Sequence, residues 1–263
     1  MPGSALKVTA GQLAFANRLA DASGAIIRRY FRRKIAIDDK SDRTPVTIAD
    51  RGAEAAMRRL IKAQFPDHGI LGEEFGASNA GADYVWVLDP IDGTKSFISG
   101  LPIFGTLIAL AYRGKPVLGV IDQPISGERW VGAAGRKSTL NGRPIRTRAA
   151  ARLDRATLYA TAPDLFHGRN RASFERLRRK VKLTRFGGDC YAYALLATGF
   201  IDLVVEVDLK PYDYCALAPV IEGAGGTMTD WAGKPLDLAS DGRVIASGDQ
   251  ALARKARRVL AGG

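Results

Sequence analysis

The stretch Val85-Trp86-Val87-Leu88-Asp89-Pro90-Ile91-Asp92-Gly93-Thr94 constrains this chain more than any other. A short run of large apolar residues rich in Val and Leu predicts a strand covered on both faces. Two carboxylates three residues apart then stand at its end, Asp89 and Asp92, and such a pair repels unless a cation or water lies between them. Pro90 is expected to stop the strand and stiffen the turn. Gly93 gives the backbone freedom to bring its N–H close to a partner, and Thr94 adds a hydroxyl beside it. Taken alone, these residues fit a surface turn as well as a metal site, because Asp, Pro and Gly are common turn formers.

The rest of the chain sets the context for that strand. Residues 11–31 and 48–65 carry apolar side chains at helical spacing, and Thr47 with Asp50 forms a capping signature at the start of the second run. Pro66 ends that run, a short strand over 68–72 leads to Glu73-Glu74, and His68 reads as a turn residue. Strand signals follow at 84–89, 104–112, 117–122 and 128–133, with turns at 113–116 and a primed hairpin turn at Asn141-Gly142. Their close spacing predicts a largely antiparallel sheet. From 157 onward strands (157–161, 183–186, 201–207, 226–230, 243–246) alternate with helices (170–181, 189–198, 213–224, 249–260). This organisation divides the chain into an N-terminal α+β half, 1–150, and a C-terminal α/β half, 151–263, that pack closely.

Composition excludes several classes. Hydrophobic content of 46% and charged content of 25% over 263 residues are globular values. No apolar run reaches the roughly 18 residues of a membrane span, and the first residues lack a secretory pattern, so a cytoplasmic protein without membrane partners is expected. The two cysteines, Cys190 and Cys215, read as buried free thiols. A net charge of +12 admits a nucleic-acid-binding protein, but the basic clusters (28–29, 32–34, 143–155, 176–182) carry few interleaved aromatics. A solvated basic surface or an anionic small substrate fits better. His167 lies in a loop, a candidate rim residue, and no Ser-His-Asp or Cys-His arrangement supports covalent catalysis.

The carboxylates at element ends are Asp50, Glu73, Glu74, Asp89, Asp92 and Asp213, in a chain with only 27 acidic residues against 39 basic ones. If they converge, repulsion calls for divalent cations, and all-oxygen ligands select Mg2+ or Mn2+ over zinc. A hard-ion site of this kind commonly serves phosphate chemistry.

Gly72-Glu73-Glu74, then Asp89-Pro90-Ile91-Asp92-Gly93-Thr94, then Tyr212-Asp213 followed by Gly223-Ala224-Gly225-Gly226, resembles the inositol monophosphatase family over residues of about 11 to 260. The resemblance implies a layered αβαβα sandwich of the inositol monophosphatase and fructose-1,6-bisphosphatase type. It also implies Mg2+-dependent hydrolysis of a small phosphorylated substrate by metal-activated water, with Mn2+ as a substitute, and a homodimer. It makes Glu73, Asp89, Asp92 and the Ile91 carbonyl ligands of a first metal and Asp213 of a second, with Glu74 assisting. Asp50 and Thr94 would orient and deprotonate the attacking water, and Gly93 and Thr94 would offer N–H groups to the phosphate at a helix start. Lys40 is a further candidate.

Within the family, Gly187-Gly188-Asp189-Cys190-Tyr191, Val204-Val205-Glu206 and Leu209-Lys210-Pro211-Tyr212-Asp213 resemble the histidinol-phosphate phosphatase branch of histidine biosynthesis. The inositol branch more often shows Gly-Thr/Ser-Ala at the first place and Trp before the last ligand. An amine and an imidazole both favour carboxylate partners, so Asp189 and Glu206 are the expected substrate contacts, Asp189 also being readable as a helix N-cap. The alternatives are an inositol-1-monophosphatase, a nucleotide 3′-phosphatase, or a non-enzymatic basic nucleic-acid-binding protein.

Overall fold

A computed structural model of the chain describes residues 8–39, 45–150 and 152–263. In chain order the elements are α1 (Ala10–Tyr30), β1 (Ile37–Asp39), β2 (Pro45–Thr47), α2 (Ile48–Gln64), β3 (Gly69–Gly72), β4 (Gly76–Ser78) and β5 (Tyr84–Asp92). There follow α3 (Thr94–Ile98), β6 (Gly105–Tyr112), β7 (Lys115–Gln123), β8 (Glu128–Ala133), β9 (Thr139–Leu140) and β10 (Arg143–Pro144). The remainder comprises β11 (Thr157–Ala160), α4 (Gly168–Arg178), β12 (Leu183–Phe186), α5 (Asp189–Ala197), β13 (Leu203–Glu206), α6 (Pro211–Tyr214), α7 (Leu217–Gly223), β14 (Thr227–Asp230), β15 (Val244–Ser247) and α8 (Gln250–Ala261).

The eight-stranded sheet runs β10-β9-β8-β7-β6-β5-β3-β4, antiparallel except where β3 lies parallel to β5. Along β5 the side chains alternate between two cores, as a strand's period of two requires. Trp86 and Leu88 face Phe15, Leu19, Met57 and Ile61 of α1 and α2. Val85 and Val87 face the opposite core, with Tyr214 of α6, Leu217 and Val220 of α7, and Leu196 of α5. The five-stranded sheet runs β12-β11-β13-β15-β14, and its outer face packs Leu158, Leu203 and Ile245 on Phe174 of α4 and Leu252 of α8. The result is a five-layer αβαβα sandwich, as expected. The core between the sheets draws on Val85 and Leu107 from one half and Val204 and Ala246 from the other.

Several sequence expectations are corrected by this structure. Pro90 does not end its strand: β5 continues to Asp92, with the register against β6 shifting between Asp89 and Asp92. An irregularity of this kind leaves a residue unpaired, so a proline without an N–H is tolerated there. The helix expected over 213–224 is two helices, with a break at Cys215–Ala216. Pro219 has no N–H to offer the carbonyl one turn back, so a continuous ladder cannot form. His68 closes the turn after Pro66 as expected, its N–H donating to the Phe65 carbonyl at 3.1 Å; in addition its ring stacks on Phe65 (4.6 Å between centroids) and Tyr84 (5.0 Å), and its Nδ1 accepts the Trp86 indole N–H at 3.1 Å. Burial lowers its pKa from the ordinary histidine value. The Asn141-Gly142 hairpin forms, both residues having positive φ (48° and 78°). Among the described residues no helix is long and apolar enough to cross a membrane.

Candidate active site

Parallel pairing of β3 with β5 sets Gly72 beside Leu88, so Glu73, which follows β3, comes next to Asp89, which β5 carries onward to Asp92. The Glu73 N–H is tied to the Leu88 carbonyl at 3.1 Å. Asp213, in the first turn of α6, comes to the same place because α6 packs on β5. One carboxylate oxygen from each of Asp89, Asp92 and Asp213 lies within 4.8 Å of the others. An Asp92 oxygen accepts the Cys190 N–H at 2.5 Å, and an Asp213 oxygen the Lys210 N–H at 2.6 Å.

Electrostatics make this cluster unfavourable without a counter-charge. Burial pushes the Asp89 carboxyl well above the usual carboxylate range, and Glu73, Asp92 and Asp213 push it further. Burial does the same at Asp92, with Asp189 and Asp213 adding to it. Like charges this close ionise together only with a cation among them. The donors are all oxygen and three of them converge within one ion's reach, so the site fits a hard divalent cation. Asp89, Asp92 and Asp213 could hold it, with Glu73 close enough to Asp89 to join them.

Asp50 sits in the first turn of α2. One of its oxygens accepts the Thr47 N–H at 2.8 Å and the Thr47 hydroxyl at 2.6 Å, closing the capping box. Its other oxygen lies 3.4 Å from the Thr94 hydroxyl, which also reaches the Ile91 carbonyl at 3.2 Å. Burial raises the Asp50 pKa, opposed by the Thr47 bonds. Gly93 adopts φ 87°, where a side chain is strained, and an added Cβ would meet the Asp189 carboxylate at 2.5 Å. That close approach puts Asp189 directly against the Gly93-Thr94 step.

Asp189 is the first residue of α5; Gly188 holds the cap position, which corrects the reading of Asp189 as an N-cap. Its φ is +43°, unusual for a residue with a side chain, and it accepts the Ser96 hydroxyl at 2.6 Å. Glu206, the last residue of β13, is buried, and one oxygen accepts the Thr161 N–H at 2.6 Å and hydroxyl at 2.8 Å. Its other oxygen and the Tyr193 hydroxyl are buried without a hydrogen-bond partner among the described residues. Burial pushes Glu206 up to about 8. Lys40 lies outside the described residues. His167 holds the N-cap position of α4, with no side-chain cap bond. Both cysteines are buried, and burial raises both thiols, which removes a thiolate nucleophile.

Sequence reasoning missed Glu54, Ser96, Thr161 and Tyr193. Glu54 carried a signal: it falls on the apolar stripe of α2 with Ala53, Met57 and Ile61, where a charge is out of place.

A layered sandwich with an all-oxygen acidic centre places the chain among metal-dependent phosphatases. A profile of the inositol monophosphatase family matches residues 11–261, and the chain belongs to that family, whose members are typically Mg2+-dependent. It is 56% identical over 256 residues to a bifunctional phosphatase IMPL2, chloroplastic, of Arabidopsis thaliana, covering 94% of this chain and 74% of that one. It is 38% identical to a histidinol-phosphatase of Chlorobaculum parvum, covering 89% and 92%. A solved inositol monophosphatase from Zymomonas mobilis superposes with a TM-score of 0.90 at 48% identity, over 97% of this chain and all of the other (100%). The protein is thus a phosphoric monoester hydrolase of this family, acting on small phosphorylated substrates.

Proposed function

We propose that the protein hydrolyses L-histidinol phosphate to L-histidinol and inorganic phosphate, in histidine biosynthesis. The observation that carries the reading is the pair of carboxyl groups beyond the acidic cluster: Asp189 lies against Gly93, and Glu206 is near enough to Asp189 and Asp213 to be raised by both. A substrate bearing an amine and an imidazole suits two carboxyl partners, whereas a neutral polyol gains less from them. Similarity to the Chlorobaculum parvum histidinol-phosphatase supports the same choice. Similarity to the Zymomonas mobilis inositol monophosphatase favours the rival substrate, inositol 1-phosphate.

On this reading Glu73, Asp89, Ile91, Asp92 and Asp213 hold Mg2+, with Mn2+ as a substitute and Glu74 assisting. The cation supplies charge neutralisation for the phosphoryl oxygens and acidifies the attacking water. Thr94, with its hydroxyl directed at Asp50, accepts a hydrogen bond from that water and passes the proton on to Asp50. Thr47 fixes the Asp50 carboxylate, and its raised pKa makes it a stronger base. The N–H groups of Gly93 and Thr94 orient the phosphate. The water oxygen bonds to phosphorus as the P–O bond to the histidinol oxygen breaks, and that oxygen takes a proton from a solvent water and leaves as the alcohol. The half up to 150 supplies base, phosphate step and most ligands; the half from 151 supplies Asp213 and the substrate carboxyls. The protein works as a cytoplasmic homodimer without nucleic-acid or membrane partners.

The test is phosphate release from histidinol phosphate, inositol 1-phosphate and p-nitrophenyl phosphate. Asp189→Ala and Glu206→Ala should raise KM for histidinol phosphate by roughly 10- to 150-fold, the worth of a charge-assisted hydrogen bond. Hydrolysis of p-nitrophenyl phosphate should change far less. Slow hydrolysis of histidinol phosphate by the unmutated protein, beside brisk hydrolysis of inositol 1-phosphate, refutes the assignment.

A further inference from the structure

We propose that Glu54 is a positioning residue for the metal centre, holding the Glu73 carboxylate in place through the backbone of the turn that follows it. Glu54 touches none of the reacting groups. It lies on α2 one turn beyond Asp50, and its side chain is fully buried (0% exposed). One of its oxygens accepts the Glu74 N–H at 2.7 Å, and the other accepts the Phe75 N–H at 3.2 Å. The second oxygen also pairs with the Arg58 Nε at 2.7 Å, and the other arm of Arg58 closes on the Gly76 carbonyl. The turn from Glu73 to Phe75, between β3 and β4, is therefore gripped at Glu74, Phe75 and Gly76 from α2. Its near end is tied to β5 through the Glu73 N–H and the Leu88 carbonyl. A Cβ on Gly72 would lie 2.0 Å from the Glu54 carboxylate, so the strand end is glycine where that carboxylate presses on it.

The choice of residue carries the argument. Burying a charged pair costs desolvation that an apolar pair of the same volume avoids, so a buried ion pair is a poor device for stability alone. An acceptor-only carboxylate can instead serve two N–H groups and a guanidinium at once, which a neutral amide cannot. What is gained is a fixed distance: α2 carries Asp50 and Glu54 one turn apart, so the proposed base and the proposed ligand turn are referenced to one rigid element. Partners that orient metal ligands from outside the coordination sphere typically govern metal affinity by 10- to 100-fold. The inference rests on Glu73 being a ligand and does not depend on which phosphate ester is the substrate.

The experiment is a Mn2+ titration of the metal-stripped protein, following the electron paramagnetic resonance signal of free Mn2+. It compares wild type, Glu73→Gln, Glu54→Gln and the double variant, each checked for folding by circular dichroism. Glu54→Gln should weaken Mn2+ binding roughly 10- to 100-fold. The double variant should bind no more weakly than Glu73→Gln alone, because Glu54 acts through Glu73. Wild-type affinity in folded Glu54→Gln, beside weakened Glu73→Gln, overturns the proposal. An additive loss in the double variant also overturns it, assigning Glu54 to general support. Wild-type affinity in Glu73→Gln instead removes the ligand assignment, and the proposal with it. Should Glu54→Gln not fold, Arg58→Met, which keeps both N–H contacts, serves in its place: weakened binding supports the proposal and wild-type binding overturns it.

Discussion

Replacing Asp92 by Asn should stabilise the metal-free protein and abolish its response to magnesium. The outer limit of 4.8 Å among Asp89, Asp92 and Asp213 fixes the scale. At an effective dielectric constant of about 20, two charges at that distance repel by about 3.5 kcal/mol. Asp92 takes part in two of the three pairs in this cluster. Burial first, and that repulsion after it, make Asp89 and Asp92 titrate well above ordinary carboxyls, so proton uptake relieves part of the repulsion. The remaining gain on neutralising Asp92 is about 1–3 kcal/mol at pH 8, or about 2–4 °C in Tm per kcal/mol. The Asn carbonyl still accepts the Cys190 N–H, so no buried donor is orphaned. The sign with pH follows from the raised values. A carboxyl whose folded pKa exceeds its unfolded one contributes stability below the unfolded pKa and loses it as pH rises through the folded pKa. Wild type stripped with EDTA should therefore melt higher at pH 5 than at pH 8, and the variant should show a smaller difference. Saturating Mg2+ should raise the wild-type Tm and leave the variant nearly unmoved, reversing their order. Thermal unfolding by circular dichroism reads all of this. A metal-free variant less stable than wild type at pH 8, or an equal Mg2+ response in both, would refute the reasoning.

Asp50→Asn should lower kcat by roughly 10²- to 10⁴-fold, the usual worth of a general base. It should also cost about 1 kcal/mol of stability, because Asp50 completes the α2 capping box; unchanged kcat would remove Asp50 from the mechanism. Glu206 falls under the same linkage, being raised from 4.5 to about 8. It withdraws stability as pH rises between those values, by roughly 5 kcal/mol at most, since one pK step is about 1.36 kcal/mol. Glu206→Gln should flatten the fall in stability across that window, and an unchanged slope in a pH series of melts would contradict the burial argument.

The acids at the end of β5 were legible because their meaning is local: an apolar strand, two carboxylates and a Gly-Thr step stand within ten residues. The capping box of α2 and the Asn141-Gly142 turn were legible for the same reason, each being a short-range preference that the structure leaves unopposed. What escaped the sequence depends on contacts between distant segments. The strands β1, β2 and β4 have three residues each, too few for alternation to register, and only pairing partners define them. The parallel pairing that sets Glu73 beside Asp89 is visible only in the sheet. Asp189 reads as a cap because it follows two glycines, yet Gly188, with φ 112°, takes the cap position itself, and the helix starts one residue earlier than that reading requires. Glu54 was passed over because its partners lie 20 and 21 residues ahead, across the whole of β3.

The central claim is that the converging carboxylates act by holding a divalent cation during phosphate ester hydrolysis. Its most direct measurement is phosphate release by protein exhaustively stripped with chelator, then titrated with Mg2+. The account predicts no turnover in the stripped protein and full recovery as Mg2+ saturates, with Mn2+ able to substitute and with Asp92→Asn and Asp213→Asn remaining several orders of magnitude slower at saturation. Undiminished turnover after chelation, or a ligand variant turning over like wild type in saturating Mg2+, would contradict it.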